Sequence, residues 1–127
     1  RCNAVKSNGD RTFVGTDSGF HHLIRYPLYN AHHEIVNADN IQDQVFVYDV
    51  CGNICESTDF FARNRSISCI REGDILAVKD VGAYGFCMSS NYNTRPRPAE
   101  VLVDYGRARL IRVRETMEDL LRGQREF

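Results

Sequence analysis

Residues 99–113 read Ala-Glu-Val-Leu-Val-Asp-Tyr-Gly-Arg-Ala-Arg-Leu-Ile-Arg-Val, and this stretch indicates the fold most clearly. Apolar and polar side chains alternate in residues 99–104 and again in residues 107–113, which is typical of strands with two different faces. Tyr105-Gly106 joins the two runs, and a two-residue connection that contains glycine favours a tight turn between antiparallel strands. The stretch therefore predicts a β-hairpin.

Shorter runs of the same character lie on the N-terminal side of the hairpin. Residues 11–17, 44–50 and 74–80 are rich in apolar and β-branched side chains, and residues 31–37 form a weaker run. Arg63-Asn64-Arg65 is polar and predicts a solvent-exposed turn. About six or seven short strands without an internal repeat predict a mainly β fold, either a β-sandwich or a Greek-key barrel with a few short helices.

Two short helices are predicted as well. Apolar residues recur at helical spacing in residues 20–28, but Pro27 limits how far a helix can continue, so this helix should be short and broken. Residues 116–123 form the second pattern, in which Thr116 suits the N-cap and Gly123 suits the end of the helix.

Length and composition indicate an ordinary globular domain. The 127 residues carry a net charge of −1 and are 43% hydrophobic, which predicts one domain spanning residues 1–127. A nearly neutral chain has no charge excess that would draw it to nucleic acid or to a membrane surface, and no run approaches the ~20 apolar residues of a membrane span. Because the first residue is Arg1 rather than Met, we expect the chain to be part of a longer protein.

The five cysteines predict free thiols in a reducing cytoplasm, because an odd number without regular spacing does not suit a disulfide framework. Cys51-x-x-x-Cys55 has a spacing that could begin a zinc site. No second cysteine pair and no His-x-x-x-His follows, and adjacent histidines on a strand point to opposite faces. We therefore predict no metal, although two adjacent histidine pairs are present, His21-His22 and His32-His33.

Residues 82–98 are too polar and too rich in turn residues to be core, and they include the first candidate site residue. Tyr84 is flanked by Gly82 and Gly85, and glycine allows the backbone to approach a ligand closely. Tyr84 could therefore present its hydroxyl into a cleft. A tyrosine packed in an ordinary turn is the alternative, and it stays open.

Two further groups are candidates for chemistry. Arg25 and Tyr29 are four residues apart and share a face of a helical turn, where they could bind a carboxylate or stack on each other at the surface. Residues 55–59, Cys-Glu-Ser-Thr-Asp, place a thiol, two carboxylates and two hydroxyls together. The same residues suit a capping segment that satisfies backbone N–H groups, and spacing does not decide between these interpretations.

Three segments together resemble one enzyme family, the diaminopimelate decarboxylases, in their C-terminal domain. The segments are Asp17-Ser18-Gly19 with Leu23-Ile24-Arg25 and Leu28-Tyr29, then residues 54–59, then Gly82-Ala83-Tyr84 with residues 88–93. Residues 95–103 extend the likeness, so that it covers nearly the whole chain.

The resemblance implies a two-domain enzyme of alanine-racemase-like fold that uses pyridoxal 5'-phosphate. In that family a TIM barrel carries the cofactor lysine and a C-terminal β domain completes the site. The barrel is absent from these residues, and neither Lys6 nor Lys79 lies in a setting that resembles the family's cofactor lysine. We therefore expect the 127 residues to be inactive alone.

The resemblance also implies a reaction and a role for each candidate residue. The reaction converts meso-2,6-diaminopimelate to L-lysine and carbon dioxide in lysine biosynthesis. Cys55 resembles the family's catalytic proton donor, and Glu56 would pair with a substrate ammonium. Arg25 and Tyr29 would bind the distal end of the substrate, while Tyr84 would contact both the substrate and the cofactor phosphate.

In the same family the active site forms at the interface of a homodimer, which implies that the loop containing Cys55 and Glu56 reaches the partner's barrel. Three positions depart from the family pattern: Thr58 stands where glycine is usual, Asn53 where proline is usual, and His21-His22 where Asn-Asp is usual. None of them removes a site group. Thr58 affects the expected shape of the loop, because a β-branched residue resists a positive φ angle.

Two alternatives remain. The first is a related decarboxylase acting on ornithine, arginine or carboxynorspermidine; those enzymes usually carry Asp after the cysteine, so Glu56 favours diaminopimelate. The second is a β module that serves dimerisation or regulation, with its catalytic residues vestigial.

Overall fold

The computed structural model describes residues 1–41 and 44–125, in which strands provide most of the regular structure. The mainly β prediction is confirmed. The strands are β1 (Cys2–Asn8), β2 (Arg11–Thr16), β3 (Ile35–Asn37), β4 (Val45–Cys51), β5 (Phe60–Ser68), β6 (Leu76–Val78), β7 (Glu100–Asp104) and β8 (Arg107–Arg112), and the α-helices are α1 (Arg25–Tyr29) and α2 (Met117–Leu121). One domain spanning residues 1–127 stays a prediction.

The central sheet has four strands in the order β1-β2-β4-β5. β1–β2 and β4–β5 are antiparallel, whereas β2 and β4 are parallel and place Val14 opposite Val50. Parallel neighbours need a long crossover, and here the crossover contains α1 and β3. β3 pairs with β6, and β7 pairs with β8, in two further antiparallel sheets.

The core combines side chains of the central sheet with side chains of the crossover. Val14 and Val50 are almost completely buried at the parallel pairing. Leu23 and Ile35 come from the crossover and pack in the same cluster. Burial of such side chains supplies most of the favourable free energy of folding, and it holds the loops at the strand ends in place.

The predicted hairpin and the predicted C-terminal helix are confirmed. Tyr105 and Gly106 both have positive φ angles, 45° and 72°, as the tightest turn between antiparallel strands requires. Thr116 caps α2 by accepting a hydrogen bond from the Asp119 backbone N–H at 3.3 Å. Gly123 follows the helix with a φ of 92°.

The predicted turn at Arg63-Asn64-Arg65 is wrong, because β5 runs through all three residues. The register moves from Tyr48↔Arg65 to Val50↔Ala62, so two residues of β5 lie opposite one residue of β4. Asn64 takes a φ of 50° there, and its N–H donates to Asp49 at 2.7 Å. These polar residues therefore form a β-bulge within a strand rather than a chain reversal.

The first helix begins later than its apolar pattern predicts. Residues 20–22 form a turn, and α1 starts at Arg25. Pro27 lies within the first turn of α1, where a backbone N–H would have no helical partner in any case, so it does not interrupt the helix. Two predicted strands are also shorter than expected, since residues 31–37 contain only β3 and residues 74–80 contain only β6.

Asp59 holds together two loops that carry candidate site residues. Its buried carboxylate accepts hydrogen bonds from the Phe20 N–H at 2.7 Å and from the Ile54 N–H at 2.8 Å. Gly52 packs directly on this carboxylate, and a Cβ at that position would overlap it. The Asn53 N–H also donates to the Ser18 carbonyl at 2.9 Å. The turn after β4 is thereby fixed against residues 18–20.

We predict that Asp59→Asn lowers the free energy of unfolding by about 1–3 kcal/mol, because one of the two buried N–H groups would face an NH₂ donor instead of an oxygen. Urea unfolding measures the change. Asp10→Asn is the matched control, since Asp10 lies on an exposed turn, and it should leave the unfolding midpoint unchanged. Equal stability of the Asp59→Asn variant and the wild type would contradict this role.

His21 is buried in the loop that Asp59 anchors. Its backbone carbonyl accepts the Ser90 N–H at 2.8 Å, and its Nδ1 has no hydrogen-bond partner among the described residues. Burial, with smaller contributions from His22 and Arg95, lowers the pKa of His21 from 6.5 to about 4. The folded protein therefore holds this imidazole neutral.

We predict a stability loss at acid pH that depends on His21. Between pH 6.5 and 4 the unfolded chain binds a proton at this histidine more readily than the folded chain does, so stability falls as the pH falls. From pH 7 to pH 4.5 the wild type should lose roughly 2 kcal/mol more unfolding free energy than His21→Asn. Urea unfolding at both pH values measures this, and His32→Asn should behave like the wild type. Parallel losses in the wild type and His21→Asn would refute the assignment.

Candidate functional site

Arg25 and Tyr84 form the first group of the candidate site. The Arg25 guanidinium carbon lies 5.5 Å from the centre of the Tyr84 ring, and Nη1 is 3.5 Å from the Ala83 carbonyl oxygen. The Arg25 Nε is buried and has no hydrogen-bond partner in the described part of the chain. A planar guanidinium with a free donor suits a carboxylate or a phosphate.

The backbone presents Tyr84 to solvent. Tyr84 has a φ of 63°, which is uncommon for a residue other than glycine, and 59% of its surface is exposed. Gly85 is buried, and a Cβ there would overlap the Val81 carbonyl oxygen, whereas a Cβ on Gly82 would meet nothing within 4 Å. Of the two flanking glycines, the structure therefore requires only Gly85.

Tyr29 is the last residue of α1 and is 62% exposed. Because α1 places residues four apart on neighbouring positions of its surface, Tyr29 lies beside Arg25. Asn30 ends the helix in the left-handed conformation, and its N–H donates to the Arg25 and Tyr26 carbonyl oxygens. One short helix thus carries both residues predicted to bind the distal end of the substrate.

Cys55 and Glu56 form the second group, on the exposed loop between β4 and β5. The Tyr92 hydroxyl donates a short hydrogen bond to Oε1 of Glu56, and the Asn93 side-chain amide lies 3.8 Å from Sγ of Cys55. The bond to Glu56 raises the pKa of Tyr92. The loop is therefore held against residues 91–94.

The roles of Tyr92 and Asn93 were missed in the sequence, where both residues appear only within a resembling segment. Sequence separations of 36 and 38 residues join them to Glu56 and Cys55, and no local spacing rule relates positions so far apart. The sequence showed only an aromatic residue followed by an amide in a polar stretch. This pattern does not identify the residues that Tyr92 and Asn93 contact.

A small apolar hollow of about 220 Å³ lies next to both groups. It is lined by residues of α1, of the segment before α1 and of the Cys55–Glu56 loop, namely Phe20, Ile24, Pro27, Leu28 and Thr58. Thr58 is not among the described residues with positive φ, so its β-branched side chain causes no backbone strain in the loop. The described residues show no hydrogen bond between the Arg25–Tyr84 group and the Cys55–Glu56 group.

A larger cavity lies elsewhere and contains none of the predicted site residues. It has a volume of about 460 Å³ and is lined mostly by apolar side chains, among them Leu23, Val78, Val101 and Ile111. Catalytic and binding sites need convergent polar groups as well as space. We therefore place the candidate site at the Arg25–Tyr84 and Cys55–Glu56 groups.

Other predicted chemistry is placed as follows. In residues 1–41 and 44–125 no three His, Cys, Asp or Glu side chains come together in a way that could hold a metal ion. Cys51 lies against the Val14 carbonyl at 3.5 Å, and burial raises the pKa of its thiol. Lys79 forms an ion pair with Glu34 at 3.0 Å. Within the same described ranges, every helix is too short or too polar to cross a membrane.

Comparison with known proteins identifies the family. Residues 1–82 match the model of the pyridoxal-dependent decarboxylase C-terminal sheet domain. A diaminopimelate decarboxylase from Methanothermobacter thermautotrophicus is 50% identical over 125 residues, which are 98% of this chain and 29% of the relative. The chain thus spans less than a third of that relative's length.

Solved structures agree with this match. The crystal structure of diaminopimelate decarboxylase from M. jannaschii superposes with a TM-score of 0.93 at 36% identity, covering 99% of this chain and 29% of that one. The co-complex of the M. jannaschii enzyme with L-lysine gives a TM-score of 0.89 at 38% identity, covering 95% and 28%. The chain belongs to the pyridoxal-dependent decarboxylase family, as a C-terminal sheet domain.

Proposed function

We propose that the chain is the C-terminal domain of a diaminopimelate decarboxylase, which converts meso-2,6-diaminopimelate to L-lysine and carbon dioxide in lysine biosynthesis. The observation that carries this proposal is the Arg25 guanidinium beside the exposed Tyr84 phenol, with a buried Nε that has no hydrogen-bond partner among the described residues. The identity of 50% to a relative of that name supports it. The whole enzyme would include an N-terminal TIM barrel of the same protein and would act in the cytoplasm.

The residues present fit one side of a pyridoxal 5'-phosphate site. Tyr84 has an exposed ring, and its phenol hydroxyl can donate to a phosphate oxygen. When bound, the cofactor supplies an electron sink for the pair of electrons left by carbon dioxide. The lysine that holds it would come from the barrel, so we expect the 127 residues alone to be inactive.

The residues of this chain would bind the two charged groups at the distal end of the substrate. Arg25 would offer its planar guanidinium to the distal carboxylate, and Tyr29 stands beside it on α1. Glu56 would bind a substrate ammonium through Oε2, because the Tyr92 hydroxyl binds Oε1. Two charges of opposite sign at two positions select a substrate that carries a carboxylate and an ammonium at its distal end.

Cys55 would donate the proton that replaces carbon dioxide. Its thiol is exposed on a loop rather than buried in the core, and a sulfur within reach of the reacting carbon can transfer the proton from Sγ. We propose that this loop acts across a homodimer interface, so that Cys55 and Glu56 of one subunit complete the pocket containing Arg25 and Tyr84 of the other.

We predict that the full-length protein turns over meso-2,6-diaminopimelate faster than ornithine, and that Cys55→Ala lowers kcat by about 10²–10⁴ because the proton donor is lost. Release of carbon dioxide measures both quantities. Cys87→Ala is the matched control, since Cys87 is also exposed and belongs to neither site group.

Two outcomes would overturn the proposed function. Faster turnover of ornithine would favour the related decarboxylases. Unchanged turnover in Cys55→Ala would favour a β module that serves only dimerisation.

A further inference from the structure

The catalytic pair lies on a loop that has no regular secondary structure. Cys55 and Glu56 are both exposed. The backbone of the loop is fixed on both sides of Cys55, where the Ile54 N–H donates to the Asp59 carboxylate at 2.8 Å and the Asp59 N–H donates to the Glu56 carbonyl at 3.1 Å. Backbone bonds of this kind do not orient the two side chains. Some other contact must therefore set the directions of the thiol and the carboxylate.

Two consecutive residues supply that contact. The Tyr92 hydroxyl donates to the Glu56 carboxylate, and the Asn93 amide approaches the Cys55 sulfur at 3.8 Å. Within the described part of the chain, the Glu56 carboxylate and the Cys55 thiol therefore contact two partners that are neighbours in the sequence. A separate bond to each side chain restricts rotation that the loop backbone leaves free.

The segment with Tyr92 and Asn93 is itself anchored at both ends. The Ser90 N–H donates to the His21 carbonyl at 2.8 Å. The Asn91 amide donates to Glu115 at 2.6 Å, and the Arg97 N–H donates to the same carboxylate at 2.7 Å. Anchors at Ser90 and Asn91 on one side and at Arg97 on the other thus hold residues 92–96 in position against the loop.

The backbone of this segment is shaped to present the two side chains. Asn93 and Thr94 have φ angles of 55° and 57°. Asn tolerates this left-handed conformation, whereas β-branched Thr adopts it at an energetic cost, which persists only where surrounding contacts impose it. The Tyr92 ring packs on Phe20 with 5.1 Å between ring centres, so its placement does not depend on its hydroxyl.

We propose that Tyr92 and Asn93 are positioning residues, Tyr92 for the Glu56 carboxylate and Asn93 for the Cys55 thiol. Tyr92 holds Oε1 of Glu56 and so directs Oε2 towards the substrate ammonium. Asn93 holds Sγ of Cys55 in the orientation from which the proton is delivered. This inference rests on the proposed function and adds to it the residues that orient its acid and its thiol.

Tyr92→Phe in the full-length protein tests the first half, because the ring and its packing on Phe20 remain while the hydroxyl is lost. We expect KM for meso-2,6-diaminopimelate and the dissociation constant of L-lysine to rise about three- to tenfold, with kcat within about twofold of wild type. Steady-state kinetics and calorimetric titration measure these values. Tyr105→Phe is the matched control, since Tyr105 is 98% exposed at the hairpin tip. Unchanged KM and lysine affinity would overturn this half, as would an equal fall of kcat and kcat/KM.

Asn93→Gly tests the second half, since glycine keeps the left-handed backbone and removes only the amide. We expect kcat to fall about three- to tenfold with KM within about twofold of wild type. The alkylation rate of Cys55, divided by that of exposed Cys87 in the same sample, should change by at least about threefold. Asn64→Gly is the control, because Asn64 also has a positive φ of 50° but lies in β5. An unchanged alkylation ratio and an unchanged kcat would overturn this half.

Failure of the inference and failure of the proposed function give different results. A wild-type protein that neither decarboxylates diaminopimelate nor binds L-lysine refutes the proposed function. The alkylation ratio then still decides whether Asn93 positions Cys55. An active wild type whose kinetics survive both substitutions refutes the inference alone.

Discussion

The buried carboxylate of Asp59 is the contact on which the arrangement of the site depends. It accepts two backbone N–H groups from loops 34 residues apart in the chain, at Phe20 and Ile54. Hydrogen bonds to an ionised acceptor are stronger than neutral ones, and the pairing leaves neither N–H unsatisfied. Gly52 makes room for the carboxylate. The Asp59 side chain therefore fixes the position of the loop before α1 relative to the loop that carries Cys55 and Glu56.

The same constraint extends to the polar stretch that precedes the hairpin. The loop anchored by Asp59 continues into His21 and His22. The His21 carbonyl accepts the Ser90 N–H at 2.8 Å, and Nε2 of His22 lies 3.1 Å from the Pro96 carbonyl oxygen. Tyr92 lies between those two contacts and reaches back to Glu56. Three segments that are distant in sequence thus meet at the ends of a rigid sheet, where binding and catalytic residues commonly lie.

Elements determined by local sequence were predictable, and those determined by distant partners were not. The alternation around Tyr105-Gly106 and the cap at Thr116 act within a few residues, and both predictions are confirmed. Asn64 is typical of a turn in the sequence, but β5 pairs with β4 on both sides of it. Its positive φ therefore belongs to a β-bulge within the strand. The helix starting at Arg25 and the parallel β2–β4 pairing also depend on packing that no local pattern records.

The candidate site residues likewise include some that the sequence predicted and some that only the folded structure identifies. Resemblance supplied Arg25, Tyr29, Cys55, Glu56 and Tyr84, because their residue types follow the chemistry of one family. It assigned nothing to Tyr92 or Asn93, since their contribution is a contact across the fold. Asp59 appeared only as a possible cap, and its two hydrogen bonds to separate loops could be recognised only once the β4 and β5 strands were placed side by side.

A complementation experiment tests most directly whether the two site groups serve one pocket shared by two subunits. Full-length Arg25→Ala and Cys55→Ala chains would be co-expressed, and diaminopimelate decarboxylation measured on the purified mixture. Half of randomly formed dimers are mixed, and each mixed dimer keeps one intact pocket of two, so we predict recovery to about a quarter of wild-type activity. Activity no higher than that of either variant alone would contradict the shared pocket.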